Sequence, residues 1–376
     1  MGKKIFVLVS NDIATDNRVH RTCTLLTEIG FQVVLVGRSR KTSIPLEKRN
    51  YECRRLNLIF EKGPLFYAAL NLSFFLLLLL ESWDGIYIND LDTLPAGYYA
   101  SKLKGKKSVI YDSHELFTET PELDHRKSVK KVWVFFEKNI LPKIQFFITV
   151  NDSIATVFQN SYDLKAAVIR NVPNQLPFEF IPKSKIELGI PEGKPLIIIQ
   201  GSGMNVDRGI EEAILAMKNV DAILLLVGSG DVIPKAKKMV EDQGLKNRVL
   251  FFGKRPYLGL MSFTVHADIG LAVDKPISKN YELALPNKLF DYIQASTPII
   301  CGQLIEIKKV VEHYNIGISI PSTTPENISH AINSLLSDRT LLNEMKRNCK
   351  KAAETENWEN EKEKLRKVIM GAFGNP

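Results

Sequence analysis

Small residues and a cation follow an apolar run near the middle of the chain, a combination typical of phosphate binding. The run Ile197–Gln200 leads into a loop that holds Arg208 and, before it, Gly201, Ser202 and Gly203. A strand that enters a glycine loop and then a helix presents backbone N–H groups to an anion, and Arg208 adds a forked donor. The spacing matches neither G-x-G-x-x-G nor the P-loop, so NAD binding and ATP hydrolysis lose support. The alternative is that the glycines only make a tight turn.

Two later segments could also bind an anion. Gly228 and Gly230 follow the run Ala222–Val227, and Asp231 is placed either to cap the next helix or to line a ligand loop. Further on, Pro286 suits a first helical turn, so this segment predicts a helix start that an anion would approach.

The helix predicted after Pro286 carries a cation and a carboxylate three residues apart. Asn287 and Lys288 open it, and Asp291 shares the face of Lys288. Such a pair suits a phosphate and a ribose diol respectively. An ordinary surface pair is the alternative.

The first half of the chain has its own polar residues after strand-like runs. His114 stands beside Asp112 and Glu115 at the end of one run, which makes it a candidate site group or a structural histidine. Asn11 and Asp12 follow the first run of the chain.

Acidic residues also mark two predicted helix starts. Asp16 and Arg18 open the helical pattern Arg18–Gly30, whereas Asp90 and Asp92 form a D-x-D sequence. In some transferases D-x-D chelates a divalent metal, but here a helix cap at Asp92 is the favoured interpretation.

Alternating strands and helices must position all of these residues. The predicted strands are apolar on both faces and are separated by helices, which predicts parallel sheets covered on both sides. They are Lys4–Ser10, Phe31–Val36, Gly85–Asn89, Ser108–Tyr111, Phe146–Val150, Leu196–Gln200, Ala222–Val227, Val249–Phe252, Ile269–Val273, Ile299–Cys301 and Gly317–Ile320.

The chain is predicted to fold into two doubly wound α/β domains. A proline-rich stretch over 169–194 is the predicted hinge between domains 1–168 and 195–355, and 356–376 is predicted as a C-terminal helix that returns to the first domain. The charged helical pattern itself runs from Asp338 to about Met370. Ligands of open parallel sheets bind beyond the carboxyl ends of the strands, so two facing sheets predict a central cleft.

Composition agrees with two soluble domains. The chain has 376 residues, 45% hydrophobic and 24% charged, which excludes a disordered chain, a collagen-like repeat and a polytopic membrane protein. The net charge of +8 suits an anionic partner. No nucleic-acid recognition motif accompanies it, so nucleic acid is not among the expected partners. Four widely spaced cysteines indicate neither a disulfide framework nor a zinc site and favour the cytoplasm.

One stretch is unusually apolar. Pro64–Leu80 carries no charge and suits a core helix, a helix that touches a membrane surface, or a short span, in that order of preference. Basic clusters in the same half favour an anionic membrane surface: Lys102, Lys104, Lys106, Lys107, Arg126, Lys127, Lys130 and Lys131.

Taken together, these segments resemble the family-4 retaining glycosyltransferases of the GT-B fold. The resemblance covers most of the chain and rests on the order of its motifs: 16–19, 111–115, 171–174, 201–209, 227–230, 248–253 and 285–288. It implies transfer of a sugar from a nucleotide diphosphate sugar, held by the second domain, to an acceptor held by the first. It also implies that no bound metal or other cofactor is required, because cations and helix N-termini offset the diphosphate charge.

The resemblance also assigns roles to individual residues. His114, Arg208 and Lys288 are the expected catalytic residues, with Lys288 compensating for an arginine that the family often has near Ser202. The remaining donor-binding residues are expected to be Gly201, Ser202, Gly203, Gly228, Gly230, Lys254, Pro286, Asn287 and Asp291. The acceptor side is expected to hold Asn11, Asp12, Asp16, Arg18 and Asp90.

One departure from the family pattern concerns a glutamate pair. Asp291 aligns with the second, ribose-binding member, whereas Leu283 stands where the first is expected and Glu282 is one position away. This departure suggests a non-catalytic nucleotide-sugar-binding scaffold as one competing function. A nucleotide-sugar epimerase, which shares the two-domain plan, is the other. The leading expectation is a transferase in bacterial surface polysaccharide or lipid-linked glycan synthesis, on the inner face of the plasma membrane, with a glycan or lipid-linked acceptor.

Overall fold

A computed structural model describes residues 2–14, 16–41 and 43–376. The chain divides into two compact units, one formed by Met1–Asn171 with Glu361–Pro376 and the other by Val172–Asn360. We call them unit 1 and unit 2. The boundary at Asn171 falls inside the predicted hinge 169–194. Val172 and Ile190, from that hinge, are buried in the core of unit 2.

Unit 1 is built on one parallel sheet of seven strands in the order β3-β2-β1-β4-β5-β6-β7. The strands are β1 (Lys4–Leu8), β2 (Gln32–Arg38), β3 (Glu52–Leu56), β4 (Gly85–Asn89), β5 (Ser108–Ser113), β6 (Phe146–Thr149) and β7 (Ala167–Val168). Its helices are α1 (Asn17–Ile29), α2 (Gly63–Leu80), α3 (Leu94–Leu103), α4 (Pro121–Asp124), α5 (Lys127–Ile140) and α6 (Asp152–Tyr162).

Unit 2 is built on a second parallel sheet, of six strands in the order β10-β9-β8-β11-β12-β13. The strands are β8 (Leu196–Gly201), β9 (Ile223–Gly228), β10 (Val249–Phe252), β11 (Ile269–Ala272), β12 (Ile299–Cys301) and β13 (Gly317–Ser319). The helices are α7 (Ile210–Ala216), α8 (Ile233–Asp242), α9 (Tyr257–Thr264), α10 (Lys279–Glu282), α11 (Asn287–Gln294), α12 (Ile305–Tyr314), α13 (Pro325–Ser337) and α14 (Arg339–Thr355).

The predicted strands are all present, with ends shifted by at most two residues. Two observed strands were not predicted. β3, with the sequence ECRRL, is a half-exposed edge strand, so its residues do not form the apolar run of a central strand. β7 has two residues and is the edge strand at the other side of the sheet.

The predicted charged helix from Asp338 to Met370 is wrong as a single element. It is divided at Glu356–Asn357 into α14 and α15 (Trp358–Phe373). Asn357 explains the break, because its amide donates to the carbonyls of Ala353 and Glu354 while its Oδ1 accepts from the backbone N–H of Asn360. The far end of α15 lies in unit 1, where Lys3 Nζ donates to the carbonyl of Phe373 at 2.7 Å.

The apolar stretch predicted at Pro64–Leu80 forms α2. It connects β3 to β4, two strands of the same parallel sheet, and it packs along α3. By length and composition α2 would suit a membrane span, with a mean hydropathy of 1.9, yet only 22% of its residues are buried. A core helix would be buried far more completely, so α2 covers the sheet with one face only.

Candidate functional site

The two glycine loops of unit 2 are joined to each other. Gly201 and Gly228 end neighbouring strands in register, and the N–H of Ser229 donates to the carbonyl of Gly201 at 3.1 Å. A Cβ at Gly228 would lie 1.8 Å from that carbonyl oxygen, and one at Gly230 would lie 2.0 Å from the carbonyl oxygen of Met204. The close packing of the two loops therefore requires glycine at positions 228 and 230.

The first glycine loop keeps an open side. Ser202 and Gly203 are exposed, and a Cβ at Gly203 would meet nothing within 4 Å. Lys254, which follows β10, is exposed as well. Of the two roles considered for Asp231, the helix cap is not observed: Val232 is the N-cap of α8, and Asp231 Oδ1 accepts from the N–H of Val206.

A buried carboxylate joins the two predicted cations of unit 2. Arg208 Nη1 lies 3.1 Å from Asp274 Oδ1, and Lys288 Nζ lies 2.6 Å from Asp274 Oδ2. The Asp274 side chain is only 1% exposed, whereas those of Arg208 and Lys288 are 22% and 11% exposed. Burial raises the pKa of Asp274, but the two cations outweigh burial and lower it below its ordinary value. We call these three residues the Asp274 cluster.

Arg208 is held from a second side. Its guanidinium carbon lies 4.0 Å from the ring centroid of Tyr281, a cation–π distance. The next residue, Gly209, has φ +75° and lies so close to the end of β11 that a Cβ there would be 2.5 Å from the carbonyl oxygen of Val273. Both contacts fix Arg208 beside the strand that Asp274 follows.

The start of α11 differs slightly from its prediction. Pro286 is the N-cap residue and Asn287, exposed, is the first helical residue, so Lys288 is the second. Asp291 is 8% exposed, and its Oδ2 accepts from Gln200 Nε2 at 3.0 Å. Leu283, where the family pattern has its first glutamate, is 7% exposed.

The corresponding cluster in unit 1 is built on Asp112, which is fully buried. Arg18 donates to both carboxylate oxygens, from Nη2 at 2.7 Å and from Nε at 3.1 Å, and Tyr87 Oη donates to Oδ2 at 2.7 Å. Arg18 was predicted on the acceptor side, but it is 6% exposed and its Nη1 donates to the carbonyl of Ile169. Arg18 therefore acts through Asp112 as a positioning residue.

His114 lies between two carboxylates. Its Nδ1 is 3.1 Å from Asp90 Oδ2 and its Nε2 is 3.5 Å from Asp112 Oδ2. Burial lowers the pKa of His114, but the two carboxylates outweigh it and raise the pKa to about 10, so the ring is protonated at neutral pH. Asp90 has φ +61° and also accepts from the N–H of His114 at 2.9 Å. We call His114, Asp90, Asp112 and Arg18 the Asp112 cluster.

The sequence favoured a helix cap at Asp92, and this prediction is wrong. Thr93 is the N-cap of α3, and the carboxylate of Asp92 is buried at 5% exposure. Burial raises the pKa of Asp92 to about 7, and the nearby charge of Asp90 raises it further. Within residues 2–14, 16–41 and 43–376 no three His, Cys, Asp or Glu side chains are arranged to hold a metal ion.

The other residues predicted on the acceptor side lie around the end of β1. Asp16 caps α1 by accepting from the N–H of Val19 at 3.1 Å. Asp12 pairs with Arg55 at 2.9 Å and accepts from Ser43 Oγ. Asn11 is exposed and its carbonyl accepts from the N–H of Arg38. Asn11 thus remains the most accessible of the three.

Sequence reasoning missed Asp274, Tyr281, Gln200 and Tyr87. Asp274 could have been found from the sequence, because it directly follows the predicted strand Ile269–Val273 and ligands bind beyond the ends of such strands. Tyr281 and Tyr87 carry no local signal, since their contacts are with residues far along the chain.

Two known families match the chain. Glycosyltransferase Family 4 matches residues 16–177, and Glycosyl transferases group 1 matches residues 180–355. The chain is a glycosyltransferase. The two matches meet close to the boundary between units 1 and 2 at Asn171–Val172.

Individual relatives of this glycosyltransferase are distant. It is 23% identical over 242 residues to an uncharacterized glycosyltransferase of Methanocaldococcus jannaschii, and that match spans 60% of either chain. Sucrose-phosphate synthase from Thermosynechococcus elongatus has a TM-score of 0.80 at 16% identity, with both chains fully covered. HepE of Anabaena, solved with UDP-glucose, has a TM-score of 0.74 at 16% identity and covers 98% of this chain and 100% of its own. At such identities these structures show the fold, which is GT-B.

Proposed function

We propose that this glycosyltransferase moves a sugar from a nucleotide diphosphate sugar to an acceptor hydroxyl with retention of configuration. The observation that carries the proposal is the Asp274 cluster. Two cations share one buried carboxylate, so the cluster retains one net positive charge beside the exposed glycine loop. A diphosphate is the ligand that such a surplus suits, because charge-assisted contacts with its oxygens are strong and directional.

Unit 2 is proposed as the donor unit. Arg208 and Lys288 contact the diphosphate, the loop of Gly201, Ser202 and Gly203 approaches it with backbone N–H groups, and Asp291 binds the ribose. Gln200 holds Asp291 by its hydrogen bond. HepE of Anabaena, which shares the fold, was crystallised with UDP-glucose, and this supports a nucleotide sugar as donor.

Unit 1 is proposed as the acceptor unit, with His114 as the residue nearest the transferred sugar. A protonated imidazole donates hydrogen bonds and cannot take a proton, so His114 is not the general base. In the proposed reaction the bond between the anomeric carbon and the leaving phosphate oxygen breaks while the acceptor oxygen bonds to the same face. The acceptor proton goes to the leaving phosphate, and no bound metal or other cofactor is required.

The proposed setting is bacterial surface polysaccharide or lipid-linked glycan synthesis at the inner face of the plasma membrane. Support comes from unit 1, where the apolar helix α2 and the basic residues of α3 and α5 occur together. Either a glycan or a lipid-linked acceptor fits this setting.

Nucleotide binding tests the donor site. A thermal-shift panel of UDP, GDP, ADP and dTDP selects the base, since binding raises stability with ligand concentration. Calorimetry then measures that diphosphate with Arg208→Ala and Lys288→Ala. We expect each variant to lose about 1.5–3 kcal/mol of binding free energy, while Lys238→Ala, an exposed lysine of α8, binds like the wild type. Unchanged affinity in both site variants would refute the assignment.

Product analysis separates the competing functions. Incubation with donor and acceptor is expected to give a glycoside whose anomeric configuration, read by NMR, equals that of the donor, and EDTA is expected to leave the rate unchanged. An isomer formed from donor alone would instead indicate an epimerase. Binding without transfer or hydrolysis would indicate a scaffold, the function that Leu283 favours.

A further inference from the structure

Helix α2 has two apolar faces, and only one of them is covered by the protein. Its buried residues, Phe66, Leu70, Phe74 and Leu78, recur every four residues. Leu65, Leu72, Leu76 and Leu80 are exposed by 60%, 59%, 47% and 85%. At about 100° per residue Leu72, Leu76 and Leu80 lie opposite the buried face. The outer face of a surface helix is ordinarily polar, yet α2 carries no charged residue over its 18 positions.

Basic residues lie beside this outer face at its carboxyl end. Lys104 Nζ donates at 2.6 Å to the carbonyl of Glu81, the residue that caps α2, and Lys107 Nζ donates to the carbonyl of Trp83. Lys102 and Lys106 of the same segment are exposed. Lysines therefore lie at the end of the leucine stripe, where the carboxylate of Glu81 is paired with Lys4 and Arg54.

Helix α5 contacts the amino-terminal half of α2 and carries exposed basic and apolar residues of its own. The ring centroids of Tyr67 on α2 and Trp133 on α5 are 5.3 Å apart, so the two helices are in contact at this point. Phe135 is 58% exposed, and Lys127 and Lys131 are exposed on the same helix.

We infer that this surface, formed by the outer stripe of α2 with the lysines of segment 102–107 and of α5, docks on an anionic lipid surface. Exposed leucines enter the boundary between headgroups and acyl chains, and lysines around them pair with anionic headgroups. A second copy of the chain fits less well, because a twofold interface would bring the same lysines face to face. The buried stripe keeps α2 against the sheet, so the helix lies on the membrane and does not cross it.

The position of α2 connects this surface to the acceptor, a consequence that rests on the proposed function. Arg38 ends β2, its Nη1 donates to the carbonyl of Glu61 just before α2, and its guanidinium carbon lies 4.3 Å from the ring centroid of Phe66. The stripe thus begins at the carboxyl edge of the sheet, where Asp90 and His114 lie. An acceptor carried by a membrane lipid would reach that edge along the stripe.

Co-sedimentation of the full chain with vesicles tests the inference. We expect binding to vesicles that contain phosphatidylglycerol, weaker binding at high salt, and little binding to pure phosphatidylcholine. The double variant Leu72→Gln/Leu76→Gln is expected to reduce binding at least tenfold, and Lys127→Gln/Lys131→Gln to reduce its salt sensitivity. Matched controls in unit 2, Ile186→Gln/Leu258→Gln and Lys218→Gln/Lys238→Gln, are expected to bind like the wild type.

Two results would overturn the inference. One is equal sedimentation, or none, with both kinds of vesicle. The other is a wild-type dimer in analytical ultracentrifugation that Leu72→Gln/Leu76→Gln converts to a monomer, since a second copy would then cover α2. Calorimetry of nucleoside diphosphate binding on the same preparations separates the two proposals, because loss of vesicle binding with intact nucleotide binding contradicts only the membrane surface.

Discussion

The Asp112 cluster of unit 1 and the Asp274 cluster of unit 2 are built from the same kinds of residue but differ in net charge and in exposure. Each places a fully buried carboxylate at the carboxyl edge of a parallel sheet and pairs it with an arginine. In unit 1 the charges of Arg18 and His114 balance those of Asp112 and Asp90, and Arg18 is buried. In unit 2 two partly exposed cations share one carboxylate. A balanced buried cluster orients its members, whereas a cluster with surplus charge at the surface is ready for an anionic ligand.

The largest expected effect comes from breaking the balanced cluster. Arg18→Ala leaves Asp112 buried without its bidentate partner, which should destabilise unit 1 by about 3–5 kcal/mol in urea unfolding. Arg347→Ala, an exposed arginine of α14, should change stability by less than about 0.5 kcal/mol. Equal effects of the two substitutions would show that the Arg18–Asp112 pair does not hold the unit together.

Asp92 sharpens the comparison, because its buried carboxylate forms no ion pair within residues 2–14, 16–41 and 43–376. Its folded pKa, about 7, is above the unfolded value, so stability is lost as pH rises from about 4 to 7. Asp92→Asn should therefore stabilise the protein by about 2–4 kcal/mol at pH 8, and the gain should vanish near pH 4. The exposed Asp242→Asn is the control, and a gain independent of pH would argue against ionisation as the cause.

Removing Asp274 from the Asp274 cluster should reduce the stability of the protein less than Arg18→Ala does in the Asp112 cluster. Asp274→Ala leaves Arg208 and Lys288 without this carboxylate, but both retain contact with water. We therefore expect the free energy of unfolding, measured in urea, to fall by about 2 kcal/mol. Asp221→Ala removes an exposed pair with Lys194 and should change stability far less, because water screens that pair. A loss as large as that of Arg18→Ala would mean that the two clusters are equally structural.

The last prediction concerns the charge on His114. Its raised pKa means that the stability it contributes is fully present below about pH 6.5 and is lost as pH rises through about 10. His114→Gln should therefore destabilise the protein at pH 6.5, and the difference from the wild type in urea unfolding should shrink as pH rises through about 10. NMR titration of the ring in the intact protein measures the same pKa directly, and a value near 6.5 would contradict the ion pairs with Asp90 and Asp112.

Much of the fold follows from local pattern, and so does the choice of where to look for a site. Apolar runs located every central strand, because a strand covered on both faces needs apolar residues on both. Edge strands escaped this rule, since β3 faces solvent and carries Arg54 and Arg55. The helix break at Asn357 was missed for a different reason: neither glycine nor proline marks it, and the side chain itself makes the cap.

The sequence by itself determined the resemblance to glycosyltransferases, the two α/β units and the choice of Arg208, Lys288 and His114 as candidate site residues. Only the tertiary structure decided which charges meet. Asp274 joins Arg208 of the first glycine loop to Lys288 of α11, Asp112 joins Arg18 to His114 across most of unit 1, and α2 leaves its second apolar face uncovered. The reason is physical: pKa values and surface character depend on burial and on neighbours distant in sequence, which no local pattern records.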